Sequence, residues 1–235
     1  MVGSTIRTIS PGPITPPTGE TVTRIAGAGR VLMPGLIDNH VHVVMSASSQ
    51  ADLLDPKVEP NVLQERATAE AGRMLLRGFT SVRDLGGAML VGSASDRSGS
   101  LPGPRMYPSG AMISQTSGHG ESRLPHERSR RFFGEVSRGE KLGANFIADG
   151  RDEVLTATRE NLRAGASQIM VMAGGGAASA YDPLDVTQYT LDERKAAVDA
   201  AGDWGTYVTG ACLHPEGGAA RRGGWREMRR ARPAA

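Results

Sequence analysis

The sequence has little cysteine, few aromatic residues and no long apolar run, and these scarcities exclude several classes of protein. A single cysteine, Cys212, among 235 residues excludes a disulfide framework and zinc sites built from CxxC pairs. No stretch approaches the ~18 consecutive apolar residues of a membrane span. The first residues lack the charged and apolar segments of a signal peptide. We therefore expect a cytoplasmic protein without a membrane partner.

The net charge of +2 comes from one end of the chain. From residue 211 onward, six arginines face only two glutamates, so this segment carries +4 and the remaining residues together carry −2. Trp225 is the only aromatic residue among these arginines, whereas nucleic-acid sites usually combine basic and aromatic side chains. A small basic nucleic-acid-binding protein is therefore the weakest of the hypotheses that the sequence allows, and we expect no nucleic-acid partner.

Three regions follow from the composition along the chain. Residues 1–23 are rich in proline, threonine and glycine and predict an irregular arm. Residues 24–209 carry alternating apolar patterns and predict one folded domain. Residues 210–235 contain mostly glycine, alanine and arginine without apolar periodicity, which predicts a basic, disordered tail.

Strands and helices alternate within the predicted domain. Buried strands are predicted over residues 31–44, 79–85, 106–113, 168–172 and 204–209. Amphipathic helices are predicted over residues 61–77, over 152–164 with Asp152 as the cap, and over 190–201 behind the Thr190/Glu193 capping box. This alternation predicts an α/β fold with a parallel sheet. Four or five strands are fewer than the eight of a closed (β/α) barrel, so we expect an incomplete TIM-type barrel, about its first half.

Two histidines, His40 and His42, give the sharpest chemical signal. Residues two apart on a strand point to the same face, and the carboxyl end of a barrel strand faces the mouth of the barrel. Both imidazoles could therefore bind one metal ion, and zinc suits neutral imidazole. An HxH pair alone is a weak motif, but this one ends an apolar strand that follows the Pro34-Gly35 turn.

Several segments together resemble the amidohydrolase superfamily, and within it the imidazolonepropionase-like branch that includes Xaa-Pro dipeptidases. They are MPGLIDNHVHV (33–43), GFTSVRDLGG (78–87), GPRMYPSG (103–110), SGHG (117–120) and GGGAASAYDPLDVTQYT (174–190). The resemblance implies a (β/α)8 barrel with a binuclear metal centre, in which the two histidines of the first strand bind one ion. It also implies a bridging carboxylated lysine on strand four, histidines on strands five and six, and a general-base aspartate on strand eight. A small β domain flanks the barrel in the family, and the resemblance implies that residues 1–23 are its remnant.

The chain departs from that pattern at the later strands. Met170 occupies the position of the strand-four lysine, and a thioether is a poor zinc ligand, so we interpret Met170 as a core residue. The histidines of strands five and six and the strand-eight aspartate are absent from the sequence. A one-base frameshift near residue 211 would account for the basic tail, and sequencing the gene would test this hypothesis. At most one divalent ion, expected to be zinc, would then be weakly held.

Of the remaining histidines, one is a candidate functional residue and two are not. The resemblance places substrate contacts in the loop that holds His119, which makes it a candidate substrate-binding residue. His126 lies among charged residues and His214 lies in the predicted tail, so we expect neither to act. Two hypotheses remain open: a metal-dependent hydrolase of amide or dipeptide C–N bonds, or a catalytically inactive fragment or pseudoenzyme of that family. Open barrel edges also predict an oligomer or aggregate.

Overall fold

A computed structural model describes residues 2–3, 5–19, 21–87, 103–179 and 181–211 of the chain. By packing, the chain divides into two units at Pro34/Gly35. The described residues of the first unit contain neither helix nor strand, only an isolated antiparallel bridge between Val2 and Thr5. His214 and the six tail arginines lie outside the described residues, so their predicted disorder stays a prediction.

The second unit carries short parallel strands joined by helices. The strands are β1 (Leu36–Val41), β2 (Phe79–Asp84), β3 (Arg105–Pro108), β4 (Met112–Ser114), β5 (Asn145–Ile147), β6 (Ile169–Met172) and β7 (Val208–Ala211). The helices are α1 (Val43–Ala47), α2 (Gln50–Leu54), α3 (Pro60–Leu76), α4 (Arg130–Phe133), α5 (Arg138–Lys141), α6 (Arg151–Arg163) and α7 (Leu191–Asp203). The sequence patterns missed β5 and the short helices α1, α2, α4 and α5, because such short elements show too little periodicity.

The strand order is that of an incomplete barrel. One sheet has the order β1-β2-β3 and the other β5-β4-β6-β7, and every strand pair is parallel. Only three residues separate β3 from β4, and the two strands together occupy one barrel position. On one side of this position β3 pairs with β2, and on the other side β4 pairs with β6. The described chain therefore runs through five successive barrel positions, which confirms the predicted partial TIM-type barrel.

Four predicted boundaries are wrong, and three of them concern strands. The first strand begins at Leu36 rather than residue 31, because Pro34 lacks an N–H and Gly35 packs so closely on Thr80 that a Cβ would lie 2.1 Å from Oγ1. It ends at Val41 because the chain enters α1 at Val43. The last strand begins at Val208 because Trp204 still caps α7.

The fourth wrong boundary concerns the cap of α6. Gly150, with φ +85°, occupies the cap position instead of Asp152, which lies in the first turn. There the positive end of the helix dipole stabilises the negative charge of its carboxylate. The other helix predictions are confirmed: α3 ends before Gly78, which has φ +95°, and Thr190 and Glu193 form the predicted capping box of α7.

The two faces of β6 show how the core is divided. Ile169 and Val171 pack in a cluster with residues of α6 and α7. Met170 and Met172 alternate with them and pack in a separate cluster with Leu85 and Met112. Since successive side chains of a strand point to opposite faces, this second cluster lies on the face of β6 away from the helices. Among the described residues, no helix has the length and apolar character that a bilayer crossing requires.

Candidate functional site

The histidine pair lies where the sequence predicts it, at the carboxyl end of β1. His40 is in the strand and His42 is the residue before α1. Their Nε2 atoms are 3.3 Å apart, and their rings meet edge to face with centroids 5.2 Å apart. Asp38 stabilises the strand backbone before the pair, because its Oδ1 accepts a hydrogen bond of 3.0 Å from the His40 backbone N–H. The prediction that both imidazoles share one side of the strand is confirmed.

The surroundings of His42 favour a neutral ring with an unprotonated Nε2, which lies within hydrogen-bond distance of His40 Nε2. Its Nδ1 lies 3.1 Å from the carbonyl oxygen of Gly86, and a carbonyl only accepts, so Nδ1 must carry the proton. Burial lowers the pKa of His42, the bond to Gly86 opposes that effect, and the charges of His40 and His119 lower the pKa further. Histidine binds metals as a neutral imidazole: one ring nitrogen is the ligand, and the other donates a hydrogen bond, often to a backbone carbonyl.

The spacing of the pair suits a divalent ion. Two ligand nitrogens at ~2.0–2.1 Å from a tetrahedral zinc lie ~3.3–3.4 Å apart, and the two Nε2 atoms are 3.3 Å apart. His40 and His42 therefore fit as two ligands of one ion. Among the described residues, no group of three or more histidine, cysteine, aspartate or glutamate side chains is arranged to hold a metal, so the pair does not complete a site.

Met170 occupies the interior position that the resemblance assigns to a bridging lysine. Its side chain is fully buried, with Leu85, Met112 and Met172 as neighbours and Met45 packed against them. A thioether carries no charge and prefers soft metal ions. The interpretation of Met170 as a core residue is confirmed, and the second ion of a binuclear centre has no fitting ligand at this strand.

Asp84, at the end of β2, is a polar residue of this region that the sequence patterns did not single out. Its side chain is buried, and Oδ1 accepts a hydrogen bond of 3.4 Å from the backbone N–H of Val43. Burial raises the pKa of Asp84 to about 7, against the opposing effect of hydrogen bonds from the backbone of Val43 and Gly86. The sequence signal that could have identified Asp84 is its place at the carboxyl end of a predicted barrel strand, where barrel enzymes carry their functional residues.

His119 lies in the loop after β4 and is held by the loop after β6. Its Nδ1 is 2.8 Å from Ser179 Oγ and 3.2 Å from Asp182 Oδ2. The sequence pointed to His119 but not to Ser179 and Asp182, although both lie in the segment after β6 that contributes to the family resemblance.

The other candidate features lie apart from these histidines. His126 is exposed, as expected for a solvated side chain, and His214 lies outside the described residues. A cleft of about 280 Å³ contains none of the histidines and is lined by Thr116, Arg123, Ser129, Arg130, Arg131, Glu140, Ile147, Asp149 and Glu153. Glutamates neutralise its arginines: Arg123 pairs with Glu121, and Arg130 and Arg131 pair with Glu140 and Glu153. It gives no support for a second catalytic site.

Parallel strands joined by helices, with a histidine pair at the carboxyl end of the first strand, define the class of this chain as a partial TIM-type α/β barrel. Comparison with known proteins gives the family: the model of the amidohydrolase family matches residues 31–229, and the chain belongs to this family. It is 36% identical to ochratoxinase from Aspergillus niger over 176 residues, which are 73% of this chain and 37% of that protein.

Solved structures agree with this assignment. An amidohydrolase structure has a TM-score of 0.72 and 39% identity, covering 86% of this chain and 48% of the other. A prolidase complexed with N-methylphosphonate-L-proline has a TM-score of 0.67 and 36% identity, covering 79% of this chain and 44% of the other. The chain thus spans less than half the length of each of these relatives.

Proposed function

We propose that this chain belongs to a hydrolase of amide C–N bonds, with small dipeptide-like substrates, that uses a divalent metal bound at His40 and His42. Hydrolysis of this kind adds the hydroxyl of water to the carbonyl carbon and a proton to the departing nitrogen. The family membership and the prolidase relative support the reaction class. A bound divalent ion, for which zinc is our choice, would supply Lewis acidity to the amide carbonyl.

The observation that carries this proposal is the geometry of the histidine pair. The 3.3 Å between the two Nε2 atoms matches the ligand spacing of a tetrahedral ion, and the Gly86 carbonyl leaves Nε2 of His42 free to bind. The lowered pKa of His42 keeps its ring neutral at physiological pH. In this proposal His119, in the loop after β4, contacts the substrate.

A catalytically inactive fragment or pseudoenzyme is the second candidate, and two observations favour it. Met170 places a thioether where a charged bridging ligand would be needed. Among the described residues, no third ligand accompanies His40 and His42, whereas catalytic zinc sites use about three protein ligands. In this alternative the metal binds weakly and no hydrolysis follows.

A zinc titration combined with an amide-hydrolysis assay separates the two candidates. Calorimetry would measure Zn²⁺ and Mn²⁺ binding to the wild type, His40→Ala, His42→Ala and, as a matched control, His126→Ala. We expect His40→Ala and His42→Ala each to weaken binding at least about tenfold and the exposed His126→Ala to leave it unchanged. A panel of Xaa-Pro dipeptides with added metal then tests catalysis.

Each outcome of this experiment has a definite meaning. Metal-dependent hydrolysis that His40→Ala abolishes would establish the enzyme. Zinc binding at the pair without hydrolysis would establish the inactive fragment. Binding that survives both histidine substitutions would overturn the metal site itself.

We also propose that the chain self-associates through its sheet edges and resides in the cytoplasm. Among the described strands, β1 pairs only with β2 and β7 only with β6. Leu36 and Ile37 on β1 are exposed, and edge strands with apolar side chains favour pairing with another chain. Light scattering after size-exclusion chromatography should show a species larger than 24.7 kDa. A monomer across the micromolar range would contradict the self-association.

A further inference from the structure

The His119 ring is held on one side by groups that belong to a different loop. Its Nδ1 lies 2.8 Å from Ser179 Oγ and 3.2 Å from Asp182 Oδ2. The same Asp182 oxygen accepts a hydrogen bond of 2.7 Å from the Gly176 backbone N–H, and Ser179 Oγ accepts one of 2.9 Å from that of Gly120. Both holding groups are therefore themselves fixed by backbone donors.

Packing restrains the ring as tightly as hydrogen bonding does. A Cβ at Gly176 would lie 2.1–2.6 Å from three atoms of the His119 imidazole, so the backbone of the loop after β6 rests directly on the ring. The Asp182 side chain is fully buried, whereas one fifth of the His119 side chain remains exposed. Ser117 Oγ also donates a hydrogen bond of 3.0 Å to the Tyr181 carbonyl, which joins the same two loops a second time.

We propose that Asp182 is a positioning residue that fixes both the orientation and the proton position of His119, with Ser179 as its assistant. The Asp182 carboxylate, 3.2 Å from Nδ1, attracts a proton on that nitrogen and repels a lone pair there. Ser179 Oγ, 2.8 Å away, can accept the hydrogen bond of this proton. Together they favour Nδ1 as the protonated nitrogen of the neutral ring. Nε2, which has no hydrogen-bond partner among the described residues, then presents its lone pair. A ligand donor, such as an N–H or an ammonium group, would meet His119 at this atom.

The functional consequence rests on the proposed function, because it assigns His119 to the substrate. With Nδ1–H fixed, a neutral His119 accepts a hydrogen bond from the substrate and does not donate one. Free histidine in water prefers the opposite tautomer, with the proton on Nε2, so a ring that carries Nδ1–H shows that its surroundings impose this choice. The proton position can be measured without metal or substrate.

Long-range ¹H–¹⁵N NMR correlations of the histidine rings, recorded on the full chain above pH 8, would test the proposal. In the wild type we expect His119, assigned by comparison with His119→Gln, to be predominantly the Nδ1–H tautomer. Asp182→Ala should move its population toward Nε2–H. Asp185→Ala is the matched control, since Asp185 is an exposed carboxylate in the same loop, and it should leave the tautomer unchanged.

Two further variants separate positioning from a merely structural role. Asp182→Asn retains a side-chain oxygen that can accept from Nδ1 and should restore most of the Nδ1–H population. Ser179→Ala keeps the carboxylate, so it should preserve the tautomer while broadening the His119 ring signals. Wild-type His119 in the Nε2–H form would overturn the proposal even if Asp182→Ala failed to fold. Because no metal takes part, a failed zinc titration would leave this result unaffected.

Discussion

The ends of β1 and β2 and the face of β6 that carries Met170 differ sharply in chemistry, although both belong to barrel strands. At β1 and β2 stand three titratable groups, His40, His42 and Asp84. On β6 stand Met170 and Met172, both buried in an apolar cluster. The first region has polar side chains, two of which we propose as metal ligands, and the second has the side chains of a hydrophobic core.

In the proposed function, one barrel would therefore keep half of a metal site while the other half is packed as core. His42 keeps an unprotonated Nε2 because a backbone carbonyl fixes the proton on its Nδ1, a contact made within the β1–β2 end alone. A bridging ligand from β6 would instead need a charged group in the methionine cluster. Substitutions at each end, and at the glycine between them, measure how separate the two regions are.

Replacing Met170 with lysine should have the largest effect. The side chain is fully buried among Leu85, Met112 and Met172, and an ammonium group there would be unpaired in apolar surroundings. We expect Met170→Lys to lower the free energy of unfolding by about 3–5 kcal/mol in urea titrations. We also expect no gain of amide hydrolysis, because a bridging carbamate would still lack a second set of ligands.

Met170→Leu is the control for this substitution. It conserves volume and apolarity, so its cost should stay below ~1.5 kcal/mol. Equal stability of the lysine and leucine variants would show that water or a partner reaches β6, and the contrast between the two regions would then fail.

The fold was more predictable than the site, and the residues show why. Strand and helix periodicity requires only local apolar patterns, so α3, β2, α7 with its capping box, and the barrel class followed from the sequence. The bounds of β1 did not, because they depend on how closely Gly35 packs against Thr80, a contact across 45 positions. The short elements β5, α4 and α5 depend on tertiary packing in the same way.

Within the site, the sequence predicted contacts only between residues that are close together in the chain. His40 and His42 share one strand, so their common side followed from the period of two. Ser179 and Asp182 reach His119 from about 60 positions away, and no sequence pattern pairs them with it. The resemblance to the family was enough to single out His119, whereas the two residues that contact it could be identified only from the structure.

The second prediction concerns the pH dependence of stability at the β1–β2 end. Burial raises the pKa of Asp84 to about 7, whereas an unfolded aspartate titrates near ~3.9. Between these values the folded state binds the extra proton, so the free energy of unfolding should fall as pH rises from about 4 to about 7. Asp84→Asn should remove about 2–4 kcal/mol of this decline.

Parallel urea titrations from pH 4 to 8 would measure the difference between wild type and variant. Asp185→Asn, which removes one exposed carboxylate, is the control for the change in net charge. Identical pH profiles for wild type and Asp84→Asn would show that Asp84 stays ionised in the folded protein, and the β1–β2 end would then be more hydrated than its burial indicates.

The smallest expected effect tests the contact between the two regions, at Gly86. Gly86 and Gly87 both have φ in the range that favours glycine, +139° and +131°, so alanine strains the backbone at either position by ~1–2 kcal/mol. Only at Gly86 does the new Cβ collide, at 2.2 Å from Met112 Cγ and 2.9 Å from Sδ; at Gly87 the nearest contact, with Val44, is an ordinary 3.6 Å. Gly86 also holds His42 Nδ1 through its carbonyl.

We therefore expect Gly86→Ala to be less stable than Gly87→Ala by about 1–2 kcal/mol, the cost of overpacking against Met112, in urea titrations at one pH. Because a shifted Gly86 carbonyl would release the His42 ring, Gly86→Ala should also weaken zinc binding, while Gly87→Ala should not. A loss of stability without a change in zinc affinity would mean that the methionine cluster yields while the histidine pair keeps its geometry. The two regions would then be mechanically independent, and a soft, unbranched side chain such as Met112 is the residue best able to separate them.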